Sequence, residues 1–362
     1  VNQRLAALRR LLAARGLDAA LVTDHTDVRY LSGFRGDEAL LLASAEHAFI
    51  CSDSRFWAQI GAEVAGFDLV RSQGGGDLVA DVLAAWSAAD GRDELERRLG
   101  FQGDAVAYSG YRRLRRRFGG RLVNMGERLG ALRQVKDEGE LRTLRTAAAL
   151  ADAALETVVA GGLRGRTERE IAWAIEQAVR SAGAEAVAFP TIVAAGPNGA
   201  LPHAIPSDAV IAAGDLVVID MGARLDGYHS DITRTYAVGR AASEERAVYA
   251  TVLAAQLAGL EATRAGVACR DVDAAARAVI DEAGYGERFG HGTGHGVGLE
   301  IHEKPRVGRR STERLEAGMV VTVEPGIYLE GRFGVRIEDT VVVTPGGCER
   351  LTLAGKELRL VD

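Results

Sequence analysis

Residues 216–236 read LVVIDMGARLDGYHSDITRTY, and the two aspartates spaced across this stretch govern how the rest of the chain is read. Val217, Val218 and Ile219 form a β-branched run suited to a buried strand, with Asp220 directly after it. Gly222 and Gly227 supply two hairpin-type turn signals before Asp231 opens the segment DITRTY. A strand, a turn and a returning strand of this length bring the two carboxylates face to face. Carboxylates held together repel, and burying them is costly unless a cation lies between them. The stretch therefore asks for a metal ion. Taken alone, Asp220 reads more readily as a turn former and Asp231 as a helix cap or surface charge, so the case depends on ligands elsewhere.

Those ligands lie downstream. Five of the seven histidines fall between residues 203 and 302, three of them in HGTGHGVGLEIHE at 291–303, whose glycines let backbone approach a ligand closely. The glycines do not fit G-x-G-x-x-G and H-E-x-x-H is absent, so neither a phosphate loop nor a zincin helix is present. VVTVEPGIY places Glu324 at the end of a β-branched strand stopped by Pro325, and FGVRIEDTVVV places Glu338 inside another strand. Asp220, Asp231, His295, Glu324 and Glu338 are too many for one tetrahedral zinc and suit two divalent ions sharing carboxylates. An oxygen-rich set with one nitrogen points to Mn2+ or Co2+, with Zn2+ also accommodated.

Composition narrows the class. The 362 residues are 47% apolar and 26% charged, ordinary for a globular chain with room for two domains. Three widely spaced cysteines build no disulfide framework and no C-x-x-C knuckle, so a reducing, cytoplasmic setting is expected. No apolar run has the length of a membrane span, and VNQRLAALRRLL reads as a charged amphipathic helix rather than a signal peptide; beginning at Val1 instead of Met suggests residues lost ahead of it. A net charge of −6 argues against nucleic-acid binding, and the one strong basic run, YRRLRRRF at 111–118, reads as a solvated helix face.

Along the first 130 residues, strands at 20–22, 39–42, 48–51, 67–71, 105–108 and 121–124 alternate with helices, with a break at Gly74, Gly75 and Gly76, as in an α/β domain with a mixed or parallel sheet. After Gly130 the composition changes. One long helix is expected over 137–159, a second from a Thr167/Glu170 capping box to Ser181, and a similar helix–Gly–helix cadence over 244–283. Each pair precedes a block of strands, which suggests an internal duplication. Two domains follow, 1–130 and 131–362.

The motifs IDMGARLDGYHSDITRTY, GHGTGHGVGLEIHE, EPGIY and GVRIED resemble the Xaa-Pro peptidase branch of the pita-bread metallopeptidases, which includes prolidase and aminopeptidase P. RLAALRRLLAARGLDAALVTDHTDVRYLSGFRGDEALLLAS is similar to that family's creatinase-like N-terminal domain. The resemblance implies an α/β (α+β) chain with a catalytic domain of duplicated helix pairs and a curved antiparallel sheet, a homodimer, and hydrolysis of the Xaa-Pro bond. It further implies that Asp220 chelates one ion, that Asp231 and Glu338 bridge both, and that His295 and Glu324 complete the second. A hydroxide held between the ions would be the nucleophile, with Glu324 as general base and later proton donor. His203 and His302 would hydrogen-bond the substrate near the scissile bond, and His291 and Arg336 would line the proline subsite.

Retention of all five ligands argues against a metal-free creatinase-like amidinohydrolase or a non-enzymatic binding module, and the N-terminal domain with PHAIPSD argues against methionine aminopeptidase. The loop that often reads GFTGS in the family is GFRGDE here. Arg35 would meet the free carboxylate of a dipeptide, tilting the expectation to prolidase over aminopeptidase P; its alternative is a surface pair with Asp37 or Glu38.

Overall fold

The computed structural model of the chain describes residues 2–73 and 75–362; Val1 and Gly74, the first residue of the glycine break, lie outside them. The chain divides into two compact units, Val1–Arg133 and Gln134–Asp362.

The first unit is built on six strands, β1 (Ala19–Val22), β2 (Leu40–Ser44), β3 (Ala48–Ser52), β4 (Asp68–Arg71), β5 (Arg98–Phe101) and β6 (Arg121–Asn124), in the order β4-β3-β2-β1-β5-β6. The β1–β2–β3 meander is antiparallel, while β4, β5 and β6 join in parallel, so the sheet is mixed. Helices α1 (Asn2–Arg15), α2 (His25–Ser32), α3 (Trp57–Glu63), α4 (Leu78–Asp90) and α5 (Tyr108–Arg117) accompany it. Trp86 of α4 and Phe118 stack, wholly buried, against the inward residues of β1, β2 and β5. The strand expected at 105–108 is instead β5, seven residues earlier. The amides of Ala105 and Val106 both return to the Gln102 carbonyl, which makes a turn, and Tyr108 already opens α5. Gly100 obscured β5 in the sequence; it is there because a Cβ would strike the Met125 side chain.

The second unit opens with α6 (Glu138–Ala160) and α7 (Glu168–Ser181), both begun by reciprocal capping boxes, Asp137/Glu140 and Thr167/Glu170. There follow β7 (Ala186–Val187), β8 (Ile192–Ala195), β9 (Leu216–Met221), β10 (Ala223–Leu225), β11 (Tyr228–His229) and β12 (Ile232–Val238). A second helix pair, α8 (Ser243–Ala262) and α9 (Cys269–Glu282), precedes β13 (Gly294–Gly296), β14 (Glu303–Val307), β15 (Val320–Val323), β16 (Gly326–Leu329), β17 (Phe333–Arg336), β18 (Asp339–Val343), β19 (Cys348–Arg350) and β20 (Leu360–Val361).

The two halves repeat in backbone detail. Gly165 donates to Ile211 O and Ile211 to Arg166 O; at the matching point of the second pair, Gly266 donates to Leu315 O and Leu315 to Val267 O. The residues that follow, Thr167 and Ala268, are N-caps of the second helix in each pair, and each forms a lone bridge, to Val210 and Arg314. Duplication of the helix pair is thus carried by hydrogen bonds more than by residue identity.

Four strands order β20-β12-β9-β8 and five order β14-β13-β15-β18-β19. Two expectations change here. Gly227 with Asp226, both at positive φ, forms the β10–β11 turn, but Gly222 is not a turn residue: a Cβ there would run into the Ser230 backbone. FGVRIEDTVVV is also not one strand. β17 pairs with β16 and β18 with β15, and Ile337 and Glu338 form the step between the two sheets. Glu338 is therefore freed from any ladder face, its amide donating to Thr233 O at 3.1 Å.

Candidate metal centre

β9 and β12 run antiparallel with Asp220 opposite Thr233. Asp231 lies just ahead of β12, so alternation turns Asp231 and Thr233 to the face that carries Asp220. Onto this face the step at 337–338 delivers Glu338, 1% exposed, whose Oε2 accepts from Thr233 Oγ1 at 2.7 Å. β13 supplies His295, and Glu324 follows β15. The structure brings ligand atoms of Asp231, His295 and Glu338 within 4.8 Å of one another. His295 Nε2 is 3.6 Å from Asp231 Oδ2 and 3.3 Å from Glu324 Oε1.

The glycines around His295 serve neighbouring strands rather than a ligand. A Cβ at Gly294 would collide with Thr322 O and one at Gly296 with Lys304 O, so β13 fits between β14 and β15 only without side chains there. His295 Nδ1 is 3.0 Å from Gly296 O. Because a carbonyl only accepts, Nδ1 carries the proton and the neutral ring presents the Nε2 lone pair to the carboxylates. Burial holds the His295 pKa below the ordinary histidine value, which favours that neutral form.

The carboxyl groups move the other way. Asp231 and Glu338 are raised well above the usual range, first by burial and then by each other's neighbours: Glu338 and Asp220 act on Asp231, and Glu324 and Asp220 on Glu338. Glu324 is raised too, chiefly by burial. Asp339, adjacent in sequence to Glu338, shows what this chain does with a buried carboxylate it intends to keep charged: Arg234, Lys356 and Arg350 reach it at 2.8, 2.8 and 2.9 Å. Among the described residues no lysine or arginine is within ion-pair distance of Asp231 or Glu338. Glu338 Oε1 and Asp220 Oδ1 are buried with no hydrogen-bond partner. A donor set of anionic oxygens, one imidazole nitrogen and two orphaned carboxylate oxygens fits divalent cations and little else.

Among the described residues, Arg336 brings a guanidinium into contact with the cluster. It is 3% exposed; Nη2 donates to Asp220 Oδ2 at 2.7 Å, Nε to Thr233 Oγ1 at 3.1 Å, and Nη1 to Tyr328 Oη and Pro202 O at 3.0 and 3.2 Å. Burial opposes its charge, yet Tyr328, Asp220 and Glu324 together hold its pKa well up. His291 Nδ1 faces Gly292 O at 2.8 Å, so its Nε2 accepts from Tyr328 Oη, also at 2.8 Å. A continuous line, His291–Tyr328–Arg336–Asp220, borders the site. His302 lies with its ring centroid 4.4 Å from that of His295, and His203 is exposed on the loop after β8.

Arg35 belongs to the first unit, exposed in the loop between α2 and β2, where its amide donates to Glu63 Oε2 at 2.9 Å. Glu38, one of its expected surface partners, is bound by Arg55. In the basic run, Arg117 pairs with Asp77 at 3.1 Å, and Arg113, Arg116 and Arg117 border an open cavity of about 480 Å³ with Gly75, Gly76 and Asp77.

Sequence reasoning passed over Tyr328, Thr233 and Thr322. Tyr328 and Arg336 share a face of the β16–β17 hairpin, legible only once Gly326 is known to pair with Arg336. Thr322 Oγ1 accepts from His295 N at 3.1 Å and donates to Glu324 Oε1 at 3.2 Å, joining the two residues.

Residues 142–345 match the model of metallopeptidase family M24, and residues 4–135 match the creatinase/prolidase N-terminal domain. The chain is 38% identical to an uncharacterized peptidase of Bacillus subtilis (strain 168) over 98% of this chain and 99% of that one. Its structure is similar to an Xaa-Pro dipeptidase from Bacillus anthracis, with TM-score 0.94 at 39% identity over 99% of each chain. It is also similar to an X-Pro aminopeptidase from Thermotoga maritima, with TM-score 0.90 at 38% identity over 99% of this chain and 100% of that one. The chain, whose second unit carries Asp220, Asp231, His295, Glu324 and Glu338, belongs to metallopeptidase family M24 and has a creatinase/prolidase N-terminal domain.

Proposed function

We propose that the protein is a metal-dependent Xaa-Pro dipeptidase, a prolidase, that uses two divalent ions. The observation that carries this reading is the contrast between Asp339, neutralised by three cations, and Asp231 with Glu338, buried side by side without one. Likeness to an Xaa-Pro dipeptidase over the whole chain supports the substrate class. Likeness to an X-Pro aminopeptidase keeps release of the N-terminal residue from longer Xaa-Pro peptides as the second reading.

In this assignment Asp220, Asp231, His295, Glu324 and Glu338 would hold the two ions, Asp220 on one side, His295 and Glu324 on the other, with Asp231 and Glu338 shared; Mn2+ would fit the oxygen-rich set best, with Co2+ and Zn2+ next. Two bound ions would lower the pKa of a shared water towards neutrality and offset the charge of four carboxylates. Glu324, with Oε1 at 3.2 Å from Thr322 Oγ1 and a raised pKa, accepts the proton of the attacking water and returns it to the proline nitrogen as the C–N bond breaks. His203 and His302 would hydrogen-bond the substrate near the scissile bond and steady the charge developing on the carbonyl oxygen, a role that the 4.4 Å separation of the His302 and His295 rings supports for His302. His291 and Arg336 would line the proline subsite, and Arg35, by family resemblance, would meet the dipeptide carboxylate in the site of its own or a partner subunit.

The three cysteines are free, which suits a cytoplasmic protein, and no described helix is long and apolar enough to cross a membrane. We assign a homodimer on family grounds. The test is hydrolysis of Xaa-Pro dipeptides beside Xaa-Pro-Xaa tripeptides after metal reconstitution, with Glu324→Ala as control. Dipeptide turnover that Glu324→Ala abolishes is expected; turnover within tenfold of wild type in that variant overturns the assignment, and preference for the tripeptide selects the second reading.

A further inference from the structure

Helix α9 carries a buried ion pair that the mechanism above does not use. Asp273 and Arg277, one helical turn apart, are 1% and 6% exposed. Arg277 Nε and Nη2 donate to the two carboxylate oxygens of Asp273 at 3.0 and 2.9 Å, a forked pairing. The remaining donors point away from the helix. Nη1 reaches Phe289 O and Nη2 reaches His291 O, both at 2.8 Å, and the guanidinium lies 4.0 Å over the Phe289 ring. Asp273 Oδ1 accepts in addition from Thr293 N at 3.0 Å and Thr293 Oγ1 at 2.9 Å.

One turn of helix thus grips residues 289, 291 and 293, alternate positions of the segment that leads to His295. From Thr293 the connection branches, because its carbonyl accepts from Glu324 N at 2.7 Å. His295 and Glu324 are each one short backbone link from the ion pair. Asp220, Asp231 and Glu338 are not: they are set by the β9–β12 ladder and by the step at 337–338, neither of which the pair touches. A pair kept only for stability has no reason to direct both of its outward hydrogen bonds and the spare acceptor of Asp273 to one loop, and burying a charge pair is at best weakly stabilising.

We propose that Asp273–Arg277 is a positioning pair that selectively supports the ion held by His295 and Glu324, so that its loss weakens one of two metal sites and spares the Asp220 side. The proposal rests on the two-ion reading above. Outer partners of metal ligands change affinity by roughly 10- to 100-fold when removed. The forked geometry also separates charge from shape, since a lysine keeps the charge but cannot bind two carboxylate oxygens and two carbonyls at once.

The experiment is calorimetric titration of the metal-stripped full-length protein with Mn2+, for wild type, Arg277→Met, Arg277→Lys and Asp273→Asn, with thermal unfolding of each. Wild type is expected to take up two ions. In Arg277→Met and Asp273→Asn one site should weaken by roughly 10- to 100-fold while the other stays within about threefold. Arg277→Lys should recover much of the unfolding temperature without recovering the weak site. If Arg277→Met does not fold, Asp273→Asn, which preserves shape, carries the measurement. Two unaltered sites, or two sites weakened alike, overturn the proposal; so does full rescue of affinity by lysine. A wild-type protein that binds a single ion overturns the two-ion reading itself and this inference with it.

Discussion

Replacing Arg336 with methionine should destabilise the metal-free protein more than the metal-loaded one. The side chain is nearly inaccessible and donates four hydrogen bonds, to Asp220, Thr233, Tyr328 and Pro202. Its pair with Asp220 has side-chain exposures of 4% and 15%, so this is not a surface contact worth under about 1 kcal/mol. Removing one partner of a buried pair costs about 3–5 kcal/mol, because the other charge is left uncompensated. Here the abandoned group is Asp220, whose Oδ1 already lacks a partner. Protonation within the cluster relieves some of that repulsion, which places the expected loss near the lower end, about 3 kcal/mol. Divalent ions reverse the balance. At a hundredfold excess over Kd each bound ion adds about 2.7 kcal/mol, and losing a neighbouring positive charge tightens cation binding further. The gain of about 2.7 kcal/mol is common to both proteins, so the deficit shrinks only through the tighter binding by the variant; a roughly fivefold tighter Kd narrows it by about 1 kcal/mol. Urea unfolding of both proteins, once with chelator and once with saturating Mn2+, reads the two differences directly. A loss below about 1 kcal/mol without metal would show that Arg336 acts as a surface charge. A deficit as large with metal as without would show that the cluster does not bind cations where Arg336 neutralises it.

Three other outcomes are expected. The raised carboxyls of Asp231, Glu338 and Glu324 bind more protons folded than unfolded, so they make metal-free stability fall as pH rises above the ordinary carboxyl range; His291 and His295, held neutral by burial, act oppositely but only up to the ordinary histidine value near 6.5. The two trends oppose each other up to that value, and because the carboxyls hold protons in the folded metal-free protein, metal uptake should release protons, seen as buffer-dependent heats; uptake without proton release contradicts the site. Arg35→Ala should raise KM for an Xaa-Pro dipeptide tenfold or more and spare the tripeptide, in line with about 1.5–3 kcal/mol for a charged hydrogen bond; equal losses on both would make Arg35 structural. Light scattering should report a dimer at micromolar concentration, and a monomer rejects that assignment.

Much of the site could be read before any coordinates. Asp220 and Asp231 are legible because β-branched runs and a turn dipeptide specify a hairpin locally, and Glu324 because Pro325 ends its strand. Thr167 announces its helix through a capping box with Glu170, and the 137–159 helix is legible from its apolar period; both are short-range signals. The duplication was visible only as a cadence, since what repeats is a backbone pattern that many side chains satisfy. Where the reading failed, the deciding contact was distant in sequence. Strand β5 was missed because Gly100 answers to Met125, and Gly222 was read as a turn because Ser230 lay unseen against it. FGVRIED looked like one strand because its alternation is unbroken, although the chain changes sheets at Ile337 and Glu338. Residue types and local spacing determined which carboxylates and imidazole were available to a metal. Only the tertiary structure decided that Asp339 would be neutralised by Arg234, Lys356 and Arg350 while its neighbour Glu338 turned the other way, towards Asp231. The reason is physical: a carboxylate's chemistry depends on the charges packed around it, and those charges come from parts of the chain that only folding brings together.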